Sequence, residues 1–193
     1  ENLVWDKSLE NNPEKFFVKL TSKTIYEIKR NRKELENLNE SSFPELKNEI
    51  NELKITKILH GVGLVIIDGK CFTDFSEEEI LGIYRNICKA LGTLLTQNIK
   101  NEKLVKVQYE EKSMRYGGRY HQSKEGGSFH TDSPHWEIVP DFVGMYCINP
   151  AKKGGESKFV SVYSVHNKML KEHKHFLEML YEQFHFDKRR GEY

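Results

Sequence analysis

The stretch Phe129-His130-Thr131-Asp132-Ser133-Pro134-His135-Trp136 decides how the rest of this chain is read. Side chains alternate faces along an extended segment, so His130 and Asp132 emerge on the same side. An imidazole nitrogen and a carboxylate oxygen converging there are two of the three donors of a facial Fe(II) site. Alone the pair is weak. With eight His and six Asp in 193 residues, chance supplies about 0.25 such pairs, so the context has to carry the reading.

Working outward, Glu110–Gly127 is polar and punctuated by Gly117-Gly118 and Gly126-Gly127. A long irregular segment in a compact domain is usually functional or disordered. This one runs straight into the His-Thr-Asp triplet and reads as an active-site lid or substrate loop. Leu104–Tyr109 before it alternates apolar and polar and predicts a strand. After the triplet, Phe142–Ile148 and Glu156–Val162 predict two further strands. The turn Asn149-Pro150-Ala151-Lys152-Lys153-Gly154-Gly155 would join them as an antiparallel pair.

The first third of the chain has a different texture. Asn12-Pro13 signals a helix start, and Phe16, Phe17, Leu20, Ile25 and Ile28 recur at helical spacing. The polar residues Asn31–Ser42 read as a helix end and linker. Pro44 begins a second amphipathic segment with Leu46, Ile50 and Leu53 on one face. Gly61–Gly69 is an apolar, β-branched run between glycines and predicts a buried strand. Its Gly61-x-Gly63 lacks a third glycine opening a helix, which argues against a dinucleotide site.

Ser76-Glu77-Glu78-Glu79 is a capping box, followed by the stripe Ile80, Ile83, Tyr84, Ile87 and Leu91, with Gly92 as the stop. Ser164 is the expected cap of a last helix carrying Met169, Leu170, Phe176, Leu177 and Leu180. The plan is helices first, then a β layer that bears the site.

Bulk properties exclude several classes. Thirty basic and twenty-nine acidic residues leave a net charge of +1, without the basic footprint of a nucleic-acid binder. Lys29-Arg30-Asn31-Arg32-Lys33 is a solvated helix end. Cys71, Cys88 and Cys147 are odd in number and widely spaced, which argues against a disulfide framework or zinc knuckle. No apolar run approaches the ~18 residues of a membrane span, and the first residues lack signal-peptide character. A cytoplasmic protein is expected. At 37% hydrophobic and 31% charged residues, the core is lean, or is completed by something outside these residues.

In their order, these pieces resemble the taurine dioxygenase-like family of Fe(II)/2-oxoglutarate-dependent oxygenases. The resemblance rests on Gly61–Gly69, the Ser76–Gly92 helix and the glycine-rich loop leading into Phe129-His130-Thr131-Asp132. It continues through Val143–Ile148, Gly154-Gly155-Glu156-Ser157, and Phe184–Gly191, which is similar to a Phe-x-Phe-Asp-Arg-Arg-Gly region of the family. It implies an α+β fold, a double-stranded β-helix (jelly roll) with flanking N-terminal helices. Residues 1–60 would form the helical region, and 61–193 the start of the β core with inserted helices.

The resemblance also implies Fe(II), 2-oxoglutarate and O2 as cofactor and cosubstrates. It makes His130 and Asp132 the first two iron ligands and places Ser157, where relatives commonly carry Thr, near the distal carboxylate of 2-oxoglutarate. Hydroxylation of an unactivated C–H bond, with release of succinate and CO2, is the default outcome. Asp132 disfavours halogenation, because halogenating relatives have a small residue there.

Tyr116, Arg119, Tyr120, His135 and Trp136 are the candidate contacts to a small polar substrate, and Lys106 and Gln108 are further candidates for the cosubstrate end. The family's second His ligand and its carboxylate-pairing Arg lie downstream of the Phe-Asp-Arg-Arg-Gly region, so neither is assigned. His121, His135, His166, His173, His175 and His185 are poor replacements: His173 and His175 read as surface residues, His185 as a core histidine. The remaining donors are expected from a C-terminal part outside these residues, a homo-oligomer or a second chain. The alternative is an incomplete or inactive domain that serves as a binding or partner module.

Overall fold

Reciprocal carboxylate caps join the first two helices. In the computed structural model, which describes residues 2–36, 43–98, 100–113, 115, 122–124, 127–133 and 137–185, α1 spans Ser22–Arg30 and α2 spans Pro44–Leu53. Glu27 of α1 accepts the N–H groups of Glu45 and Leu46, both at 3.0 Å. Glu49 of α2 accepts the Thr21 N–H and the Thr21 hydroxyl, both at 2.9 Å. A helix start leaves backbone donors without intrahelical partners and carries partial positive charge. Each helix therefore supplies the anion that the other needs, which sets the pair antiparallel.

The chain divides into two compact units, residues 1–93 with 160–181, and residues 94–159 with 182–193. The first contains the hydrophobic core, built from Leu20, Ile28, Leu35, Phe43, Leu46, Ile50, Phe72, Phe75 and Ile83. Helix α3 (Glu77–Leu91) closes it. Its capping box is complete: Ser76 Oγ accepts the Glu79 N–H at 3.2 Å, and the Glu79 carboxylate accepts the Ser76 N–H at 2.7 Å. At the far end, Lys54 Nζ donates to the Leu91 carbonyl at 2.6 Å, and Gly92 ends the helix in an extended conformation. The expected stripe faces inward, with Ile83 buried and Ile80, Ile87 and Leu91 packed around it.

Arg32 ties α3 to the chain that follows α1. Its Nε and Nη2 donate to the two Glu79 oxygens at 2.7 and 2.6 Å, and Nη2 also reaches the Asp74 carbonyl at 2.8 Å. The guanidinium lies 3.9 Å from the Phe75 ring centroid. A planar fork suits this bidentate, stacked geometry, where lysine would make one contact. Leu35 then packs where α3 carries Gly82: a Cβ there would land on the Leu35 carbonyl oxygen.

The local pattern misreads the first segment. The helix expected from Asn12-Pro13 is a three-residue 3₁₀ turn, Pro13–Lys15, followed by strand β1 (Phe17–Val18); α1 starts only after Thr21. Strand β1 pairs in parallel with β2 (Ile66–Ile67), Phe17 opposite Ile66 and Val18 opposite Ile67. That pairing is long-range in sequence and leaves no periodic trace around residue 17. The strand expected over Gly61–Gly69 is shortened to β2 because α2 continues as a π-helical turn, Lys54–Leu59, with bends behind it.

The N-terminal residues form a strap within the same unit. Asn2 Nδ2 donates to the His60 carbonyl and Trp5 Nε1 to the Val62 carbonyl, both at 2.8 Å. Ser161 Oγ donates to the Leu3 carbonyl, and Ser164 Oγ to the Trp5 carbonyl at 2.6 Å. Ser161, not Ser164, is therefore the cap of α4 (Val162–Glu172), its hydroxyl also accepting the Ser164 N–H. The last strand expected at Glu156–Val162 thus yields to helix from Val162. Helix α5 (Lys174–Met179) follows, with Leu177 buried.

The second unit is built differently. None of its described residues is buried. Leu104–Tyr109 and Phe142–Ile148 have the alternation of half-buried strands, yet no ladder forms there among the described residues. Val107 and Met145 are 62% and 72% exposed. Alternation marks which side chains share a face, but a strand exists only where a partner satisfies its backbone groups.

Two substitutions test this packing. Gly82→Ala improves intrinsic helix propensity, but the Leu35 carbonyl blocks the methyl, so denaturant unfolding is expected to show a loss of about 1–3 kcal/mol. The second involves Glu79, whose carboxyl is held at about 2 against an ordinary 4.5, chiefly by the Arg32 hydrogen bond and then by the Ser76 N–H. A depressed folded-state value adds stability that is complete above the unfolded-state value and is lost as pH falls through the folded one. The stability gap between wild type and Glu79→Gln should be full at neutral pH and shrink from about pH 4.5 to about 2, as followed by thermal melts.

Candidate functional site

The residues before His130 are held by a closed loop base. The Glu110 N–H donates to the Gln122 carbonyl at 3.0 Å, and Gln122 Nε2 donates to the Glu110 carboxylate at 2.8 Å. Lys112 Nζ pairs with the same carboxylate at 2.7 Å, and Lys124 Nζ lies 4.2 Å from the Tyr109 ring centroid. This clamp brings together Glu110 and Gln122, which flank Gly117-Gly118 in the sequence. Sequence reasoning marked the loop but missed Glu110, Gln122 and Lys124 as its fasteners. Their side-chain types are ordinary for a surface loop and gave no signal.

His130 and Asp132 meet, with Nε2 and Oδ1 3.5 Å apart. Two donors at right angles on one metal ion, each at a bond length of about 2.1 Å, stand about 3 Å apart, so this separation suits a shared cation. The other imidazole nitrogen, Nδ1, lies 2.7 Å from the Ser128 carbonyl oxygen. A carbonyl only accepts, so Nδ1 carries a proton toward Ser128, and Nε2 is the nitrogen that faces Asp132. Fixing the ring through its second nitrogen is how metal-binding histidines are oriented.

Ser133 follows in a left-handed conformation, φ 49°. It is an uncommon position for a non-glycine residue, and it turns the chain immediately after the carboxylate. His130 and Asp132 are both about half exposed, which leaves room for further donors. Among the described residues no group of three or more His, Cys, Asp or Glu side chains is placed to hold a metal ion. The donors present fit two positions of an iron site.

Ser157 lies exposed, two residues beyond Gly155. Gly154 and Gly155 both have left-handed backbones, φ 72° and 79°, so the turn expected before Ser157 needs glycine at each. Lys106 and Gln108 are exposed as well. Tyr116, Arg119, Tyr120, His121, His135 and Trp136 lie outside the described residues. The other histidines have local roles. His166 Nε2 is 2.9 Å from the Tyr181 hydroxyl, His173 joins α4 to α5, and the His175 ring packs on Phe176 with centroids 3.9 Å apart. His185, expected in the core, is exposed. The three cysteines are free thiols. No helix among the described residues is long and apolar enough to cross a membrane.

Comparison with known proteins places these observations. The sequence model of the family described as "Taurine catabolism dioxygenase TauD, TfdA family" matches residues 20–193. Among curated proteins, FR-33289 synthase of Streptomyces rubellomurinus (strain ATCC 31215) is 26% identical over 140 residues. That alignment covers 70% of this chain and 39% of the relative, so the chain spans well under half the relative's length. No solved structure matches.

The loop clamp can be checked by trypsin cleavage after Lys112 and Arg115. Glu110→Ala removes the acceptor of two side-chain contacts, and cleavage should accelerate about five-fold, the factor for one net hydrogen bond of about 1 kcal/mol. Cleavage within α1 serves as the unaffected reference.

Proposed function

Because this chain belongs to the TauD/TfdA family, whose members are non-haem Fe(II)/2-oxoglutarate dioxygenases, we propose that it carries the first two iron donors of such an enzyme. The proposed reaction consumes O2 and 2-oxoglutarate: one oxygen atom enters an unactivated C–H bond of a small polar molecule as a hydroxyl, and the other enters the succinate formed as CO2 is lost. The observation that supports it is the His130–Asp132 pair, with Nε2 turned to the carboxylate at 3.5 Å by the Ser128 carbonyl.

In this reading O2, with Fe(II) and 2-oxoglutarate as its reductants, would supply the oxidising chemistry, and the protein supplies position and exclusion of water. His130 contributes a neutral nitrogen, and Asp132 a carboxylate that offsets metal charge. Ser128 keeps the ring from rotating, and Ser133 turns the following chain away. The Ser157 hydroxyl is the proposed donor to the distal carboxylate of 2-oxoglutarate. Tyr116, Arg119, Tyr120, His135 and Trp136 are the proposed substrate contacts, their aromatic faces and single cation suiting a small anionic or zwitterionic molecule.

The third metal donor and the arginine for the cosubstrate carboxylate are proposed to come from further polypeptide, either additional chain or a second subunit. The exposed apolar faces at Val105, Val107 and Tyr109, and at Val143 and Met145, support this. Side chains in a strand-like alternation are ordinarily covered on one face.

The test is 2-oxoglutarate-dependent succinate release by the protein, with substrate candidates added singly. His130→Ala and Asp132→Ala should each lower the rate by more than about 100-fold, at least the range seen on loss of groups that merely support a metal ligand. Succinate release that survives Asp132→Ala undiminished would overturn the assignment.

A further inference from the structure

The parallel pair β1–β2 ends at one edge of a cleft that no part of the proposed reaction uses. Its volume is about 330 Å³, and it is lined by Lys19, Leu20 and Ile25 from the β1–α1 connection and by Asp68, Lys70 and Cys71 after β2. Lys19 follows the last residue of β1 and Asp68 follows the last residue of β2. The carboxyl ends of neighbouring parallel strands are where open α/β sheets bind ligands, because the connections diverge there.

The lining defines the ligand chemistry. Leu20 is buried and, with Ile25 and the half-buried Cys71, forms an apolar floor. Burial pushes the Cys71 thiol up, so it stays neutral. Lys19 and Lys70 also line the cleft and are both exposed. Asp68 brings the only opposing charge among the lining residues, and its Oδ1 already accepts the Lys70 N–H at 3.0 Å. Thr21, next in the chain, is taken by Glu49. Two ammonium groups against one committed carboxylate leave the cleft cationic beside an apolar floor.

We propose that this cleft is a binding site for a small carboxylate carrying an apolar tail. The carboxylate sits between Lys19 and Lys70, and the tail covers Leu20, Ile25 and Cys71. An amine of the same shape would meet the same floor but repulsive lysines.

Saturation-transfer NMR on the whole chain tests this with hexanoate, hexylammonium and acetate as probes. Hexanoate should give saturable transfer, weakened about ten-fold or more in the double variant Lys19→Glu/Lys70→Glu and retained in Lys19→Arg/Lys70→Arg, since the attraction to solvated side chains needs the charge sign and little else. Hexylammonium and acetate should bind at least about ten-fold more weakly, lacking the charge or the tail. Both lysines are exposed, and the amide spectra of the variants report that the fold is kept. Absence of transfer from hexanoate, equal binding of hexylammonium, or undiminished binding in the Lys→Glu variant would overturn the proposal.

Discussion

The Arg32–Glu79 contact is the constraint on which the first unit turns. Glu79 serves two masters: it closes the capping box at Ser76 and receives the guanidinium fork of Arg32. One carboxylate thereby fixes where α3 begins and how it meets the chain leaving α1. With that entry set, Gly82 lies against the Leu35 backbone and Ile83 faces the core. Charge-assisted hydrogen bonds shared between elements are worth more than isolated surface pairs, because each partner is already ordered by the other. The reciprocal caps between α1 and α2 work by the same logic.

Among the described residues of the second unit no such anchor is found. Its described residues include no buried side chain, and its order comes from local hydrogen bonds: Glu110 with Gln122, and His130 with Ser128. Hydrogen bonds exposed to water contribute modestly, while burial of apolar surface is the dominant favourable term in folding. His130 and Asp132, carried on this unit, lie 3.5 Å apart and are both about half exposed. The buried hydrophobic residues all lie in the first unit, which exposes others, such as Ile55, Leu59 and Val162, as the second unit does.

What was legible in the sequence follows from the range of the forces involved. The capping box at Ser76, the stripe of α3 and the amphipathic α2 are encoded within a few residues and stand as read. His130 and Asp132 do lie 3.5 Å apart, but no strand forms at 130–133, so it is not the strand alternation of that reading that brings them together. The Gly154-Gly155 turn was visible because only glycine accepts both backbone conformations readily. Long-range features were misread: β1 interrupts an apparently helical run because Phe17 and Val18 pair with Ile66 and Ile67, and Ser161 displaces Ser164 as a cap because Leu3 and Trp5 lie across both hydroxyls. His185 looked like a core residue because its apolar neighbours promised a core that is not formed around it here.

The central claim is that a metal ion binds between His130 and Asp132, and anaerobic Fe(II) titration followed by amide NMR tests it most directly. Paramagnetic loss of signal should begin at residues 129–133 and disappear from that region in Asp132→Ala. Signal loss that begins instead around His166, His173 and His175, or that is unchanged by Asp132→Ala, would contradict the account.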